Sequence, residues 1–248
     1  PPTYLAALLG DELPMPMVVT SHGGDVFEDN VRLQKPVIVE RCVQGLRRAN
    51  ALVAISRFTR EGFTRLCPSV ASRVVDIPNG VHVSAYANGD STAPPGFERL
   101  RANRYAIFLG RLKYRKGVDV LLQALARIAA SVDAQVAIVG DGEEMPFARI
   151  LCDQLDVNDR VVFMGAQSGA GKLHLLRNAR SGVVPSRQWK SFGLVVLEGY
   201  ASGLPMIATN LPGLADLIQH GRSGLLVPPE SPEQLAAAMT RLFTDAAQ

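Results

Sequence analysis

At 248 residues the chain is long enough for one large domain or two modest ones, and its 47% hydrophobic and 20% charged content suits a globular protein with a buried core. A net charge of +3 gives no case for nucleic acid and leaves only local basic patches to serve phosphates or an anionic membrane surface. The three cysteines, Cys42, Cys67 and Cys152, are odd in number and far apart, without metal-ligand spacing; they predict buried structural thiols and a reduced intracellular setting.

Thr3 to Leu9 reads as a short helix, and Met17 to Thr20 as a buried strand running into the glycine-bearing loop Ser21-His22-Gly23-Gly24-Asp25. Pro36 to Arg48 reads as a helix with Pro in its first turn. Ala51 to Ala54 is a strand, and Ser56 is the expected N-cap of a helix through Leu66. Arg73 to Ile77 is a strand ending in the turn Pro78-Asn79-Gly80-Val81. Between Val81 and Asn103 the composition shifts to Ser, Asn, Asp, Gly and Pro, which marks a linker. Beyond it, strands are expected at Tyr105–Leu109, Gln135–Val139, Val161–Met164, Gly182–Val184, Met206–Thr209 and Gly224–Val227. Helices are expected at Val118–Ala130, Glu143–Leu155, Lys172–Ala179, Leu194–Ala201 and Pro232–Phe243, the last capped by Ser231.

Short Val/Ile/Leu-rich strands alternating with helices predict an α/β fold of parallel sheets covered on both faces. The division is 1–81, an incomplete first Rossmann-like block; 82–103, the linker; and 104–248, a nearly complete second block.

In a parallel sheet, ligands sit at the carboxyl ends of strands, where the next helix begins and its free N–H groups favour anions. The stretch from Val183 to Pro205 has this form: a strand, a polar loop broken open by Phe192-Gly193, then an apolar helix carrying Glu198. Gly193 would let a phosphate approach the backbone. Glu198 is placed to accept hydrogen bonds from sugar hydroxyls. A plain turn with a solvated Glu explains the same residues. Arg111, Lys113, Arg115 and Lys116 lie on the next strand-to-helix loop, and four cations there suit a diphosphate, although a solvated basic loop is the alternative. Gly140-Asp141-Gly142 follows a strand, which a tight turn explains equally well. His22, alone among glycines, is either a turn residue or a cleft residue, and Arg57 is a weaker candidate for a phosphate or acceptor contact. Pro212 to Asp216 reads as structural.

Taken in order, these motifs resemble retaining nucleotide-sugar glycosyltransferases of family four, which have the GT-B fold. The family signature runs Pro-Ser, a Glu, Phe-Gly, and a second Glu eight positions after the first. Here Pro185-Ser186, Phe192-Gly193 and Glu198 stand in register and Ala201-Ser202-Gly203-Leu204-Pro205 matches its small-residue tail, but the first Glu position holds Lys190.

The resemblance implies that a hexose moves from a GDP- or UDP-sugar to an acceptor hydroxyl with retention, in glycan, glycolipid or exopolysaccharide synthesis. It implies Arg111, Lys116, Phe192, Gly193 and Leu194 at the donor diphosphate, and Glu198, Gly140, Gly142 and Met164 at the nucleotide, with Glu198 on the ribose and main chain near Met164-Gly165 at the base. It places His22 and Lys190 at the reacting centre and Gly23, Asp25 and Arg57 on the acceptor side. No metal or cofactor is expected beyond the donor. The partners implied are the donor and a glycan or lipid-linked acceptor, at a cytoplasmic location with peripheral contact at the inner membrane face. The family's domains close over the donor, which makes 81–103 the hinge candidate. Lys190 reverses the local sign and is expected to weaken or alter catalysis. Family members are longer, so the chain is expected to be truncated at both ends. A catalytically silent nucleotide-sugar module and a sugar-nucleotide epimerase are the alternatives.

Overall fold

The computed structural model describes residues 5, 8, 15–23, 26 and 31–245. Gly24 and Asp25, and the predicted Thr3–Leu9 helix apart from Leu5 and Leu8, lie outside these residues. The chain divides into two compact units, one of 1–79 with 190–192, the other of 80–189 with 193–248.

In the first unit, β1 (Val18–Ser21), β2 (Ala51–Ala54) and β3 (Val74–Asp76) form a parallel sheet in the order β1-β2-β3. The connections are α1 (Pro36–Arg48) and α2 (Arg57–Leu66). The Ser56 hydroxyl accepts from the Thr59 amide at 3.2 Å, and the Thr59 hydroxyl accepts from the Ser56 amide at 2.9 Å. This reciprocal box satisfies two groups that a helix start otherwise leaves open. Arg60 binds both carboxylate oxygens of Asp76 and the Val74 carbonyl, tying α2 to β3.

The second unit has six parallel strands: β4 (Tyr105–Leu109), β5 (Gln135–Val139), β6 (Val161–Gly165), β7 (Ser181–Val184), β8 (Met206–Thr209) and β9 (Gly224–Val227). Their order is β6-β5-β4-β7-β8-β9, so the strand sequence reverses direction between β4 and β7. This is the doubly wound arrangement whose ligand crevice opens at the reversal, beyond the strand carboxyl ends. Both faces are buried, so alternate strand residues feed separate cores. Ala106, Phe108, Val136 and Ile138 pack with α4 (Val118–Ile128), α5 (Met145–Gln154) and α8 (Pro232–Thr244). Tyr105, Ile107, Ala137 and Val139 pack with α6 (Gly169–Asn178) and α7 (Leu194–Ala201). Tyr105 can be fully buried because its hydroxyl donates to the Leu175 carbonyl at 2.6 Å. The α/β fold of two parallel-sheet blocks, the first the smaller, is therefore as the sequence predicts.

The segment expected as a linker differs. It contains α3 (Val83–Asn88) and a 3-10 turn at Phe97–Arg99. The Arg177 guanidinium donates to the Tyr86 and Gly89 carbonyls, and Phe97 stands edge-on to His174 with ring centroids 4.4 Å apart. The segment is thus docked on the second unit, whose boundary falls between Asn79 and Gly80. Its polar composition reads as a tether because the anchoring partners are far away in sequence.

Candidate functional site

The reversal of strand order brings together the loops after β4 and β7. The first, Gly110–Gly117, carries Arg111, Lys113, Arg115 and Lys116. Lys113 pairs with Glu143 at 3.7 Å, whereas the side chains of Arg111 and Lys116 have no hydrogen-bond or ion-pair partner among the described residues. A cation left unpaired beside a strand end is available to an anion.

Close backbone approach fixes these loops. A Cβ on Gly117, at φ +66°, would lie 2.0 Å from the Pro185 carbonyl oxygen. A Cβ on Gly140 would meet the Gly110 oxygen at 1.9 Å, and one on Gly142 the Leu112 oxygen at 2.2 Å. Gly140 and Gly142 are therefore required by the seam between the β4 and β5 loops, whatever they do for a ligand. Main-chain bonds from Gly110 to Val139, from Leu112 to Asp141 and from Gly140 to Gly165 complete the seam.

Arg187 locks the β7 loop in place. Its amide donates to the Arg115 carbonyl at 3.0 Å, and its guanidinium binds Asp119, Glu230 and the Tyr114 carbonyl while stacking on the Tyr114 ring at 4.4 Å. These partners hold the guanidinium pKa above its already high ordinary value, chiefly through the hydrogen bonds to Asp119. Sequence reasoning passed over Arg187; it is one cation in a polar loop, and Asp119 is 68 residues away.

The loop delivers the chain to α7, which begins at Leu194. The first amides of such a helix have no intrahelical acceptor and, with the helix dipole, favour an anion. At Gly193 φ is −107°, and a Cβ there would meet the side-chain ends of Leu214 at 2.8 Å and Leu217 at 3.2 Å. These are the ends of flexible side chains, so the contact favours a small residue here without bearing on a ligand's approach.

Glu198 is not simply solvated. Its Oε1 accepts from the Tyr86 hydroxyl at 2.8 Å and the Lys172 ammonium at 3.1 Å, and Lys172 also donates to the Tyr86 oxygen at 3.0 Å. The Lys172 and Glu198 side chains are only 20% and 18% exposed. Burial works to lower the Lys172 pKa, but the bonds to Tyr86 and Glu198 outweigh it, so the group is held above its ordinary value and stays charged. Lys172 is thus the cation paired with Glu198. Neither Tyr86 nor Lys172 carries a local motif that would single it out.

Met164 is buried, and its carbonyl accepts from the Gln167 side chain at 2.7 Å, so that main-chain group already has a partner. In the first unit, exposed His22 follows β1 and Arg57 begins the helix after β2, at the same end of that sheet. Arg57 lies 3.9 Å from Glu61. Among the described residues no group of three or more His, Cys, Asp or Glu could hold a metal ion, and no helix is long and apolar enough to cross a membrane.

Comparison with known proteins agrees with this architecture. The family model of glycosyl transferases group 1 matches residues 103–245, and that of glycosyltransferase family 4 matches residues 1–85. An uncharacterized glycosyltransferase of Methanocaldococcus jannaschii is 34% identical over 139 residues, 56% of this chain and 35% of the relative. The phosphatidyl-myo-inositol mannosyltransferase of Mycobacterium leprae is 33% identical over 177 residues, 71% of this chain and 46% of the relative. The chain therefore spans less than half the length of either. Among solved structures, Anabaena HepE in complex with UDP superposes with a TM-score of 0.84 at 23% identity, over 99% of this chain and 67% of that one. With the GT-B fold matched along nearly all of its length and the group 1 model matching more than half of it, the chain belongs to the group 1, family 4 glycosyltransferases.

Proposed function

We propose that the second unit binds a nucleoside-diphosphate sugar, and that the whole protein transfers the hexose to an acceptor hydroxyl with retention at the anomeric carbon. The observation that carries this reading is the pair of unpartnered cations, Arg111 and Lys116, at the point where strand order reverses. The chemical demand is charge. As the bond from the anomeric carbon to the diphosphate oxygen breaks, the diphosphate gains negative charge and the sugar carbon positive charge. Arg111, Lys116 and the amides at Phe192-Gly193-Leu194 neutralise the former. Glu198 holds the ribose, one helical turn (about 6 Å) beyond Leu194. The acceptor oxygen then bonds to the anomeric carbon while its proton passes to the leaving phosphate. His22 orients the sugar, and Gly23, Asp25 and Arg57 serve the acceptor. Gly140, Gly142 and the main chain at Met164 line the nucleotide side.

The names of the relatives suggest probes. HepE holds UDP, so uridine is the first base to test, with guanosine beside it. A mannosyltransferase acting on phosphatidyl-myo-inositol suggests a lipid-linked or glycan acceptor, with peripheral contact at the cytoplasmic membrane face. No metal enters the reaction. A second reading rests on Lys190: a cation where the family places an acid favours a nucleotide-sugar-binding module without turnover.

The test is calorimetric titration with UDP, GDP and ADP, then assay of donor consumption with and without an acceptor. Binding of one nucleotide, lost in Arg111→Ala and Glu198→Ala, supports the donor site. Failure of a folded sample to bind any of them overturns it. Binding without glycosidic-bond formation supports the silent module.

A further inference from the structure

We propose that Tyr86 and Lys172 are positioning residues that aim Glu198 at a ribose diol, making α3 a wall of the nucleotide site. The inference deepens the donor-site reading and rests on it.

Three elements converge on one carboxylate: Tyr86 from α3, Lys172 from α6 and Glu198 from α7. Both donors reach the same oxygen, Oε1; Oε2 takes no hydrogen bond among the described residues. Two donors from different directions fix the carboxylate plane as well as its position. The bond between Lys172 and the Tyr86 hydroxyl at 3.0 Å closes the triangle, so neither donor is free to swing away. Lys172 also lies 5.2 Å from the centroid of the Tyr86 ring, within cation–π range.

A carboxylate held in this way accepts hydrogen bonds, with one oxygen committed and the other left over. The complement of such an oxygen is a neutral donor, and a pair of vicinal hydroxyls suits it better than a phosphate or a second carboxylate. The charge balance points the same way: Lys172 already neutralises Glu198, so the pair presents hydrogen-bonding capacity with little net charge. Anchoring extends outward as well. Arg177, five residues beyond Lys172 on α6, donates to the Tyr86 carbonyl from both Nε and an η nitrogen, which seats the backbone that carries the phenol. An isolated surface ion pair needs none of these supports.

The triangle predicts discrimination between ribose and deoxyribose. The experiment titrates the wild-type chain, Tyr86→Phe, Lys172→Met and Lys172→Arg with UDP and with 2′-deoxyuridine diphosphate, using the guanosine pair if GDP is the nucleotide bound. Circular dichroism and thermal melting establish that each variant is folded. Wild type is expected to favour the ribonucleotide about tenfold. Tyr86→Phe and Lys172→Met are expected to weaken ribonucleotide binding several-fold with little effect on the deoxy form, so that the preference collapses. Lys172→Arg is expected to keep part of it. An unchanged preference in both Phe and Met variants overturns the proposal while leaving the donor site standing, as does equal loss on both nucleotides. If wild type binds neither nucleotide, the donor-site reading itself falls and takes this inference with it.

Discussion

The guanidinium of Arg187 grips both carboxylate oxygens of Asp119, at 2.6 Å and 2.5 Å, and so joins the loop after β7 to the first turn of α4. The two side chains are only 11% and 14% exposed. Removing one partner from a pair so little exposed strands the other charge, at a cost of about 3 kcal/mol. Arg187→Met is expected to destabilise the second unit by that amount in urea unfolding. Arg187→Lys is expected to recover little, since a lysine cannot make the two-pronged contact or stack on Tyr114 in the same way. Combining Arg187→Met with Asp119→Asn is expected to cost clearly less than the sum of the single changes. Strict additivity would show that the pair is not coupled.

The close approach of the β4 and β7 loops gives a second prediction with its own control. Gly117 and Gly203 both have positive φ, +66° and +73°. A Cβ at Gly203 meets nothing within 4 Å, whereas one at Gly117 lies 2.0 Å from the Pro185 carbonyl oxygen. Gly203→Ala therefore carries only the backbone penalty, about 1 kcal/mol. Gly117→Ala adds a clash with backbone that cannot yield without moving a loop. It is expected to cost at least twice as much in denaturant unfolding and, under the donor-site reading, to weaken nucleotide binding. Equal costs at the two positions would show that the loops separate easily.

Strand and helix placement was legible because it rests on local signals. Alternating helices and short apolar strands, Pro in the first turn of α1, and Ser56 and Ser231 as caps all read correctly from neighbouring residues. The loops of the candidate site were placed in the same way, as cations and glycines following strands. What escaped was long-range. Tyr86 meets Glu198 across 112 residues and Lys172 meets it across 26, so nothing in either local stretch announces the contact. The leucines that face Gly193, some twenty positions further on, could not be placed from sequence alone either. The segment after Gly80 was read as a tether because its polar residues hide two anchoring sites, one at Tyr86 and Gly89 and one at Phe97.

The capping box of α2 offers a local test in the first unit. Ser56 and Thr59 exchange hydrogen bonds between side chain and backbone. Ser56→Ala removes the acceptor for the Thr59 amide and is expected to cost about 1 kcal/mol, while Ser56→Asp retains most of the stability. Hydrogen exchange at the amides of the first turn of α2 reads this directly. Unchanged protection there in Ser56→Ala would show that the cap contributes nothing.

Cys152, on α5, is fully buried, and burial, with the Asp153 charge adding to it, pushes its thiol pKa up to about 11. An unfolded thiol titrates near 8.5. At pH 8 the native thiol is therefore both inaccessible and protonated, and a thiol reagent is expected to modify Cys152 only after denaturation, since the thiolate is the reactive form. The same shift sets a pH dependence. Below about pH 8.5 the thiol is protonated in both states and its contribution to stability is flat. As pH rises from there to about 11, the unfolded chain releases the proton first and stability falls. Cys152→Ala loses some packing at every pH but lacks this fall, so the stability difference between wild type and the variant is expected to narrow as pH rises from 8 to 10. A constant difference across that range would show that the buried thiol titrates no differently from a free one.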